Sequence, residues 1–214
     1  MQTSDINQLA ERVTQWQSRA PWPVERGRIA AAAIAELAAG EPVEIARVAE
    51  RAGGPADDVL DFLRSSPAEF DRDGRLVGFG LTLRPTPHRV QLGARTLYTW
   101  CAPDTLELPT LLGQPVRVES RCFATGETVR VEVDPDGVRE LEPEAAVVSM
   151  VLPDVCMSDF REQLCDEQHF FSSAAAAAGW QAERPEAIVV PVSSGFVLTR
   201  LLTARLFGAP AVGA

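Results

Sequence analysis

Apolar residues recur every three or four positions along the first third of the chain, a period that predicts helices. Four helices are expected there. The first is capped by Ser4 or Asp5 and carries Ile6, Leu9, Val13 and Trp16, and the second runs from Pro23 to a stop at Gly40 with Ile29, Ala33, Ile34 and Leu37 on one face. The third covers Val43–Ala52 and ends at Gly53-Gly54, and the fourth starts at Pro55 and carries Val59, Leu60 and Leu63. Phe70, the turn Asp71–Gly74 and the run Leu76–Phe79 then predict a β-hairpin. Helices followed by a hairpin resemble a winged helix-turn-helix.

From about Leu81 the apolar period changes to two, which indicates strands. The predicted strands are Leu81–Leu83, Arg89–Leu92, Val116–Val118, Thr128–Val133 and Ala146–Leu152, with a turn at Asp134–Gly137. Short helices are predicted at Pro103–Leu112, Ser158–Leu164, Ser173–Arg184 and Ser194–Phe207. The fold class is therefore α+β. We expect two domains: a helical, winged-helix-like domain over residues 1–80 and a mixed sheet-and-helix domain over residues 81–214.

The charge of the chain argues against a nucleic-acid partner. The 214 residues include 30 acidic and 20 basic side chains, a net charge of −10. All the basic residues are arginine, which excludes a Schiff-base lysine and a P-loop lysine. Residues 1–80 hold 13 acidic residues against 9 arginines, and the candidate recognition helix at Pro55–Asp61 carries three carboxylates. These would repel the phosphates of DNA.

The compartment follows from the apolar runs and the cysteines. No signal peptide is visible in residues 1–20, and the longest apolar runs, Ile29–Ala39 and Ala145–Leu152, are too short to span a bilayer. We therefore expect a cytoplasmic protein without a membrane partner. In a reducing compartment cysteines are more often thiols than structural disulfides. The four cysteines are Cys101, Cys122, Cys156 and Cys165.

Cys101 lies at the predicted start of a helix, because Pro103 suits a first helical turn. Free backbone amides and the positive end of the helix dipole there favour a thiolate. Asp104 lies three residues later, so a thiol and a carboxylate could share one small volume. The alternative is a buried structural cysteine beside an aspartate that caps backbone amides, and spacing alone favours that alternative.

Cys165 and His169 stand four residues apart, which is metal-ligand spacing if that segment is helical. One such pair is weak evidence, and a packed thiol beside a hydrogen-bonded histidine is the simpler interpretation. Cys122 is interpreted as a buried structural thiol beside the turn at Ala124–Gly126. Cys156 follows a proline and is expected in a loop.

Several segments together resemble the organomercurial lyase (alkylmercury lyase) family, from about Ala31 to the C-terminal helix. The segments are Gly78–Arg84, Leu97–Leu106, Cys122–Gly126, Val148–Pro153, and Cys165 with His169-Phe170-Phe171. The specificity of the resemblance lies in the combination of two distant cysteines with an aspartate three residues after the first. One departure is Asp166, at a position where family members can have a second cysteine; the Cys156 loop also looks particular to this chain.

The resemblance implies a function and a set of site residues. Cys101, Cys165 and Asp104 would surround mercury as substrate and product, with the two cysteines holding it and Asp104 handling the proton. Cys122 would be structural. The implied reaction is protonolysis of a carbon–mercury bond, giving a hydrocarbon and mercury(II) bound to the two cysteines. No cofactor is expected beyond mercury as substrate and product. External small thiols would release the product, and a mercuric reductase is a further candidate for receiving it.

Two other functions remain open from the sequence. The chain could be a non-enzymatic, metal-responsive regulator with a thiolate sensor behind a helix-turn-helix, although its charge opposes this. It could also be a mercury-binding carrier without catalysis. Salt-sensitive binding of duplex DNA would indicate the regulator, and return of intact methylmercury would indicate the carrier.

Overall fold

The computed structural model describes residues 24–151, 161, 164–185 and 187–207. The first predicted helix, around Ile6–Trp16, lies outside these ranges, and so do Cys156 and most of the helix predicted at Ser158–Leu164. Among the described helices, none combines the length and the apolarity needed to cross a membrane.

The helices that open the described chain confirm three of the sequence predictions. They are α1 (Val24–Leu37), α2 (Ile45–Ala52) and α3 (Ala56–Arg64). Helix α2 begins two residues later than predicted, because Val43 forms an isolated antiparallel bridge with Leu76 instead. The acidic side chains of α3 are exposed to solvent.

The helices pack against an antiparallel sheet of eight strands in the order β1-β2-β3-β5-β4-β6-β7-β8. The strands are β1 (Glu69–Phe70), β2 (Leu76–Phe79), β3 (Leu81–Thr82), β4 (His88–Leu92), β5 (Arg95–Thr99), β6 (Val116–Arg121), β7 (Thr128–Asp134) and β8 (Gly137–Glu142). The predicted hairpin is β1 with β2. The next pair, β2 with β3, crosses the predicted boundary at residues 80 and 81 within one sheet. The division into two domains and the winged-helix likeness of the first stay predictions.

A second sheet and three further helices complete the described chain. The sheet has the order β10-β9-β11, with β9 (Val147–Met150), β10 (Phe170–Phe171) and β11 (Ile188–Pro191). The helices are α4 (Ala102–Leu112), α5 (Ala174–Ala182) and α6 (Val192–Leu206). Helix α4 contacts β6, β7, β9 and α6. Gly195 allows the close approach of α6 to β9, since a Cβ at that position would collide with Val148. The start of α4 is thereby buried between the two sheets and α6.

The sequence missed four strands of these sheets. Strand β8 is a polar edge strand, and β10 has only two residues, so neither carries a long alternating pattern. Strands β5 and β11 were also not predicted. The α+β class is confirmed, and the described strands and helices that were predicted differ from the prediction mainly in where they begin and end.

Candidate active site

Cys101 is the residue immediately before α4, with an extended backbone (φ −139°, ψ 170°). Pro103 follows in the first turn, where a missing N–H breaks no helical hydrogen bond. Asp104 is the third helical residue, and its Oδ2 accepts a hydrogen bond from the Cys101 backbone N–H at 3.2 Å. In return the Asp104 N–H points to the Cys101 side chain, which completes a capping box. The predicted helix start and the predicted proximity of Cys101 and Asp104 are both confirmed.

Cys165 reaches the same place through a short 3₁₀ turn, Cys165–Glu167. The turn is tied to the start of α4 by a main-chain hydrogen bond, from the Ala102 N–H to the Gln168 carbonyl at 3.2 Å. It is tied to β9 by the His169 N–H, which donates to Ser149 Oγ at 2.8 Å. These contacts place Cys165, which is far from Cys101 along the chain, at the start of α4.

Three side chains therefore meet: Cys101, Asp104 and Cys165. One ligand atom from each, the two Sγ atoms and a carboxylate oxygen, lies within 4.8 Å of the others. Cys101 is 1% exposed and Cys165 is 2% exposed, and both are free thiols. Two soft sulfur donors around one small volume suit a soft cation such as mercury(II).

Burial keeps both thiols of the site protonated. Desolvation, followed by the hydrogen bond to Cys165 and the charge of Asp104, raises the pKa of the Cys101 thiol well above its usual range. The hydrogen bond with Cys101 lowers the pKa of Cys165, but burial and the charges of Asp104 and Asp166 outweigh it and raise that pKa. The expectation of a thiolate stabilised by the helix dipole at Cys101 is wrong, because burial and the neighbouring carboxylate dominate. A base is needed to ionise these thiols.

Asp104 has the acidity required of such a base. Burial raises its pKa to about 6, against hydrogen bonds from Cys101 and the charge of Arg161, which lower it. Glu107, one turn further along α4, is partly buried as well, and burial followed by the charge of Asp104 raises its pKa well above the usual range. The sequence analysis did not single out Glu107, although an acid between two leucines of a buried helix is a signal for it.

Trp100 precedes Cys101 in the chain, and the charge of Arg161 acts on both Asp104 and Cys165. The Arg161 guanidinium lies 4.9 Å from the centroid of the Trp100 ring, a cation–π contact. Both side chains contact the carboxylate of Glu69 on β1. Arg161 and Glu69 were missed from the sequence, since nothing local connects residues 92 positions apart.

The histidines stay outside the site. His169 follows the 3₁₀ turn rather than a helix, and its ring stacks on Phe123 with centroids 3.9 Å apart. Within the described ranges, the cluster of possible metal ligands contains cysteine and aspartate but no histidine. His88 is buried and its Nδ1 is hydrogen-bonded with Ser120 Oγ at 2.8 Å. The His169 ring is half-buried and stacked, and among the described residues the metal-ligand spacing of Cys165 and His169 has no structural counterpart.

Cys122 is buried at the end of β6, outside the cluster of Cys101, Asp104 and Cys165. Its backbone N–H donates to the Glu127 carbonyl at 2.7 Å, and its carbonyl accepts from the Gly126 N–H at 2.8 Å. These bonds close the predicted turn, so the position of Cys122 agrees with a structural role.

Comparisons with known proteins all point to one family. The profile described as alkylmercury lyase matches residues 81–204. A curated alkylmercury lyase of Staphylococcus epidermidis is 46% identical over 170 residues, covering 79% of this chain and 78% of the relative. One of Pseudomonas putida is 35% identical over 198 residues, covering 92% and 93%. A crystal structure of the mercury-bound form of MerB2 superposes with a TM-score of 0.73 at 26% identity, over 92% of this chain and 98% of that one.

The fold and the site thus define a member of a family of lyases that act on organomercurials. The chain belongs to the alkylmercury lyase family.

Proposed function

We propose that this protein is an organomercurial lyase that cleaves carbon–mercury bonds by protonolysis, with Cys101 and Cys165 as mercury ligands and Asp104 as proton carrier. The observation that carries the proposal is the meeting of the two sulfur atoms and the carboxylate within 4.8 Å. Membership of the alkylmercury lyase family supports the reaction type.

The first step in this mechanism is ionisation of a thiol by Asp104. A carboxyl group with a pKa of about 6 is largely ionised at neutral pH and can accept the proton of the adjacent Cys101 thiol. The thiolate then attacks mercury in the substrate R–Hg–X and displaces X. Cys165 binds as the second sulfur ligand, and its proton leaves with X as HX.

The second step breaks the carbon–mercury bond. Two thiolates raise the electron density on mercury, and the electron pair of the bond passes to carbon. Asp104 returns its proton to that carbon, so the products are RH and mercury(II) on two sulfurs. Of the two thiol protons one ends on carbon and the other on X. Holding all the reacting groups around one atom is worth up to about 7–11 kcal/mol through effective concentration.

The remaining parts of the proposal are the release of mercury(II) from the site and the location of the protein in the cell. Two external thiols exchange with Cys101 and Cys165 on mercury and return two protons to them, so small thiols or the cysteines of a mercuric reductase are the proposed acceptors. No cofactor enters these steps. A cytoplasmic location is proposed as well, because the three described cysteines are free thiols of the kind that a reducing compartment maintains.

The test is incubation of the full chain with phenylmercury and excess small thiol, with benzene measured by gas chromatography. The proposal expects catalytic release of benzene and accumulation of a mercury(II)–thiol complex. Retention of mercury with intact phenylmercury recovered after acid would contradict it and indicate a carrier. Tight, salt-sensitive binding of random duplex DNA without benzene release would indicate a regulator.

A further inference from the structure

We infer that Glu69 is a positioning residue that holds the two thiol-bearing segments of the site in register, an inference that rests on the proposed function. Glu69 lies on β1, in the hairpin that follows the first three described helices, and it is not part of the cluster of Cys101, Asp104 and Cys165. Its carboxylate instead joins Trp100, the residue before Cys101, to Arg161, which lies four residues before Cys165.

The contacts of Glu69 use both carboxylate oxygens. Oε2 accepts a hydrogen bond from Thr82 Oγ1 at 2.7 Å, and Oε1 accepts one from Trp100 Nε1 at 3.2 Å. Oε1 also accepts a hydrogen bond from the Arg161 guanidinium, and Arg84 Nε lies 3.9 Å from Oε2. The Glu69 side chain is only 7% exposed. A buried carboxylate charge destabilises the fold unless it is paired and hydrogen-bonded. The position of the Glu69 carboxylate therefore depends on all four of these partners together.

The sheet leaves space for this carboxylate. Gly78 on β2 is paired with Glu69 on one side and with Thr82 on the other. A Cβ at position 78 would collide with Glu69 Oε2 and lie 2.8 Å from Thr82 Oγ1. Glycine at this position therefore keeps open the volume in which the carboxylate lies.

Two of the contacts reach the two halves of the site. Trp100 immediately precedes Cys101, and Arg161 precedes Cys165 by four residues. Because one oxygen of Glu69 binds both the indole and the guanidinium, the guanidinium is held against the indole ring. Fixing these two side chains restrains the separation of the two sulfur atoms. In the proposed mechanism both sulfur atoms bind one mercury atom, so the distance between the two sulfurs determines how well they can bind it together.

The test compares one substitution at two buried glutamates. Glu69→Gln keeps the side-chain length and one acceptor oxygen but removes the charge paired with Arg161. We expect a folded protein whose kcat for benzene release falls about a hundredfold, the cost of a small misplacement of reacting groups, with KM changed far less. Glu36→Gln is the matched control, because Glu36 is also buried and pairs with Arg47 and Arg51 on the helices. Its kcat should equal that of the parent.

A second readout separates positioning from general stability. Mercury(II) bound by two sulfurs resists a competing monothiol, so the parent and Glu36→Gln should retain it and Glu69→Gln should lose it at lower competitor concentration. Arg161→Gln should show the same loss of kcat. The double variant Glu69→Gln/Arg161→Gln should be no slower than either single variant, because the two act through one contact.

The outcomes separate this inference from the proposed function. A parent that releases no benzene would contradict the proposed function itself. An active parent with a folded Glu69→Gln of equal kcat would overturn only the role of Glu69. Additive losses in the double variant would overturn it as well. If Glu69→Gln does not fold, the kcat of Arg161→Gln tests the inference in its place. A kcat equal to that of the parent in Arg161→Gln would overturn the inference.

Discussion

Cys101 and Cys122 are equally buried, at 1% exposure, yet their surroundings shift the thiol pKa in opposite directions. At Cys122 burial raises the pKa, but hydrogen bonds from Thr125 and Ser172 outweigh it and lower the pKa to about 7. At Cys101 burial and the charge of Asp104 raise the pKa well above its usual range. The more acidic thiol is therefore outside the proposed site.

The comparison shows that the proposed chemistry does not depend on a thiolate prepared in advance. A protonated thiol beside a partly buried carboxyl group stores the proton that the carbon will need. Cys122 has the more acidic thiol, but it lies outside the cluster that brings two sulfur atoms and a carboxylate together. What distinguishes the site is the pairing of two thiols with a base.

The largest effect is expected from removal of either sulfur of the site. With Cys101→Ser or Cys165→Ser, benzene release from phenylmercury should fall to the rate of the protein-free reaction, because a hydroxyl is a hard, protonated ligand for mercury. Circular dichroism should show that the fold is kept. Turnover within a few-fold of the parent in either variant would remove that cysteine from the mechanism.

The pH dependence of kcat/KM should report the pKa of Asp104. Below a pH of about 6 the carboxyl group is protonated and cannot accept the thiol proton. We expect kcat/KM to fall about tenfold for each pH unit below that value and to level off above it. The acidic limb should be absent from the residual activity of Asp104→Asn, and a flat profile in the parent would argue against Asp104 as the base.

Removing the charge of Asp104 should stabilise the protein at neutral and alkaline pH. In the folded protein the pKa of Asp104 is about 6, above the ordinary value of 3.8. The folded protein therefore binds this proton more tightly than the unfolded chain does, which stabilises the fold fully below pH 3.8. This stabilisation is lost as the pH rises through 6. At pH 8 Asp104→Asn should gain up to roughly 3 kcal/mol in urea unfolding, and near pH 3.5 it should gain almost nothing. Glu36→Gln, which breaks ion pairs instead, should lose stability.

The smallest effect on chemistry is expected at the other thiol. Cys122→Ser should leave kcat within a few-fold of the parent and lower the free energy of unfolding by about 1 kcal/mol, since it disturbs one buried hydrogen-bonded turn. Melting temperature and benzene release measured on the same preparation would check this. A folded variant with lost turnover and an unchanged melting temperature would instead assign Cys122 to the site.

The sequence predicted the part of the site that neighbouring residues form, the pair Cys101 and Asp104. Pro103 marks the first turn of α4, and the three-residue spacing then brings Asp104 back to Cys101. The arrival of Cys165 is different, because its turn is held by Ala102 and Ser149, partners that no local pattern identifies. Only the resemblance to a family connected Cys165 with Cys101 in advance.

The electrostatics of the site were also beyond local patterns. The helix dipole predicted an acidic Cys101, but the depth of burial depends on how both sheets and α6 cover the start of α4. The same holds for Glu69, whose burial requires Gly78 in the neighbouring strand. Strand β8 was missed because an exposed edge strand needs no apolar alternation.

The most direct test of the central claim is a single-turnover experiment with Asp104→Asn and phenylmercury. Asparagine has the same shape, but it neither accepts the thiol proton nor returns it to carbon. The account predicts that mercury(II) and phenylmercury still bind, with the thiol protons passing to the displaced ligand or to solvent, and that benzene release is slowed about 10²–10⁴-fold relative to the parent. Release of benzene at the parental rate would contradict it and would leave Asp104 as a capping residue of α4.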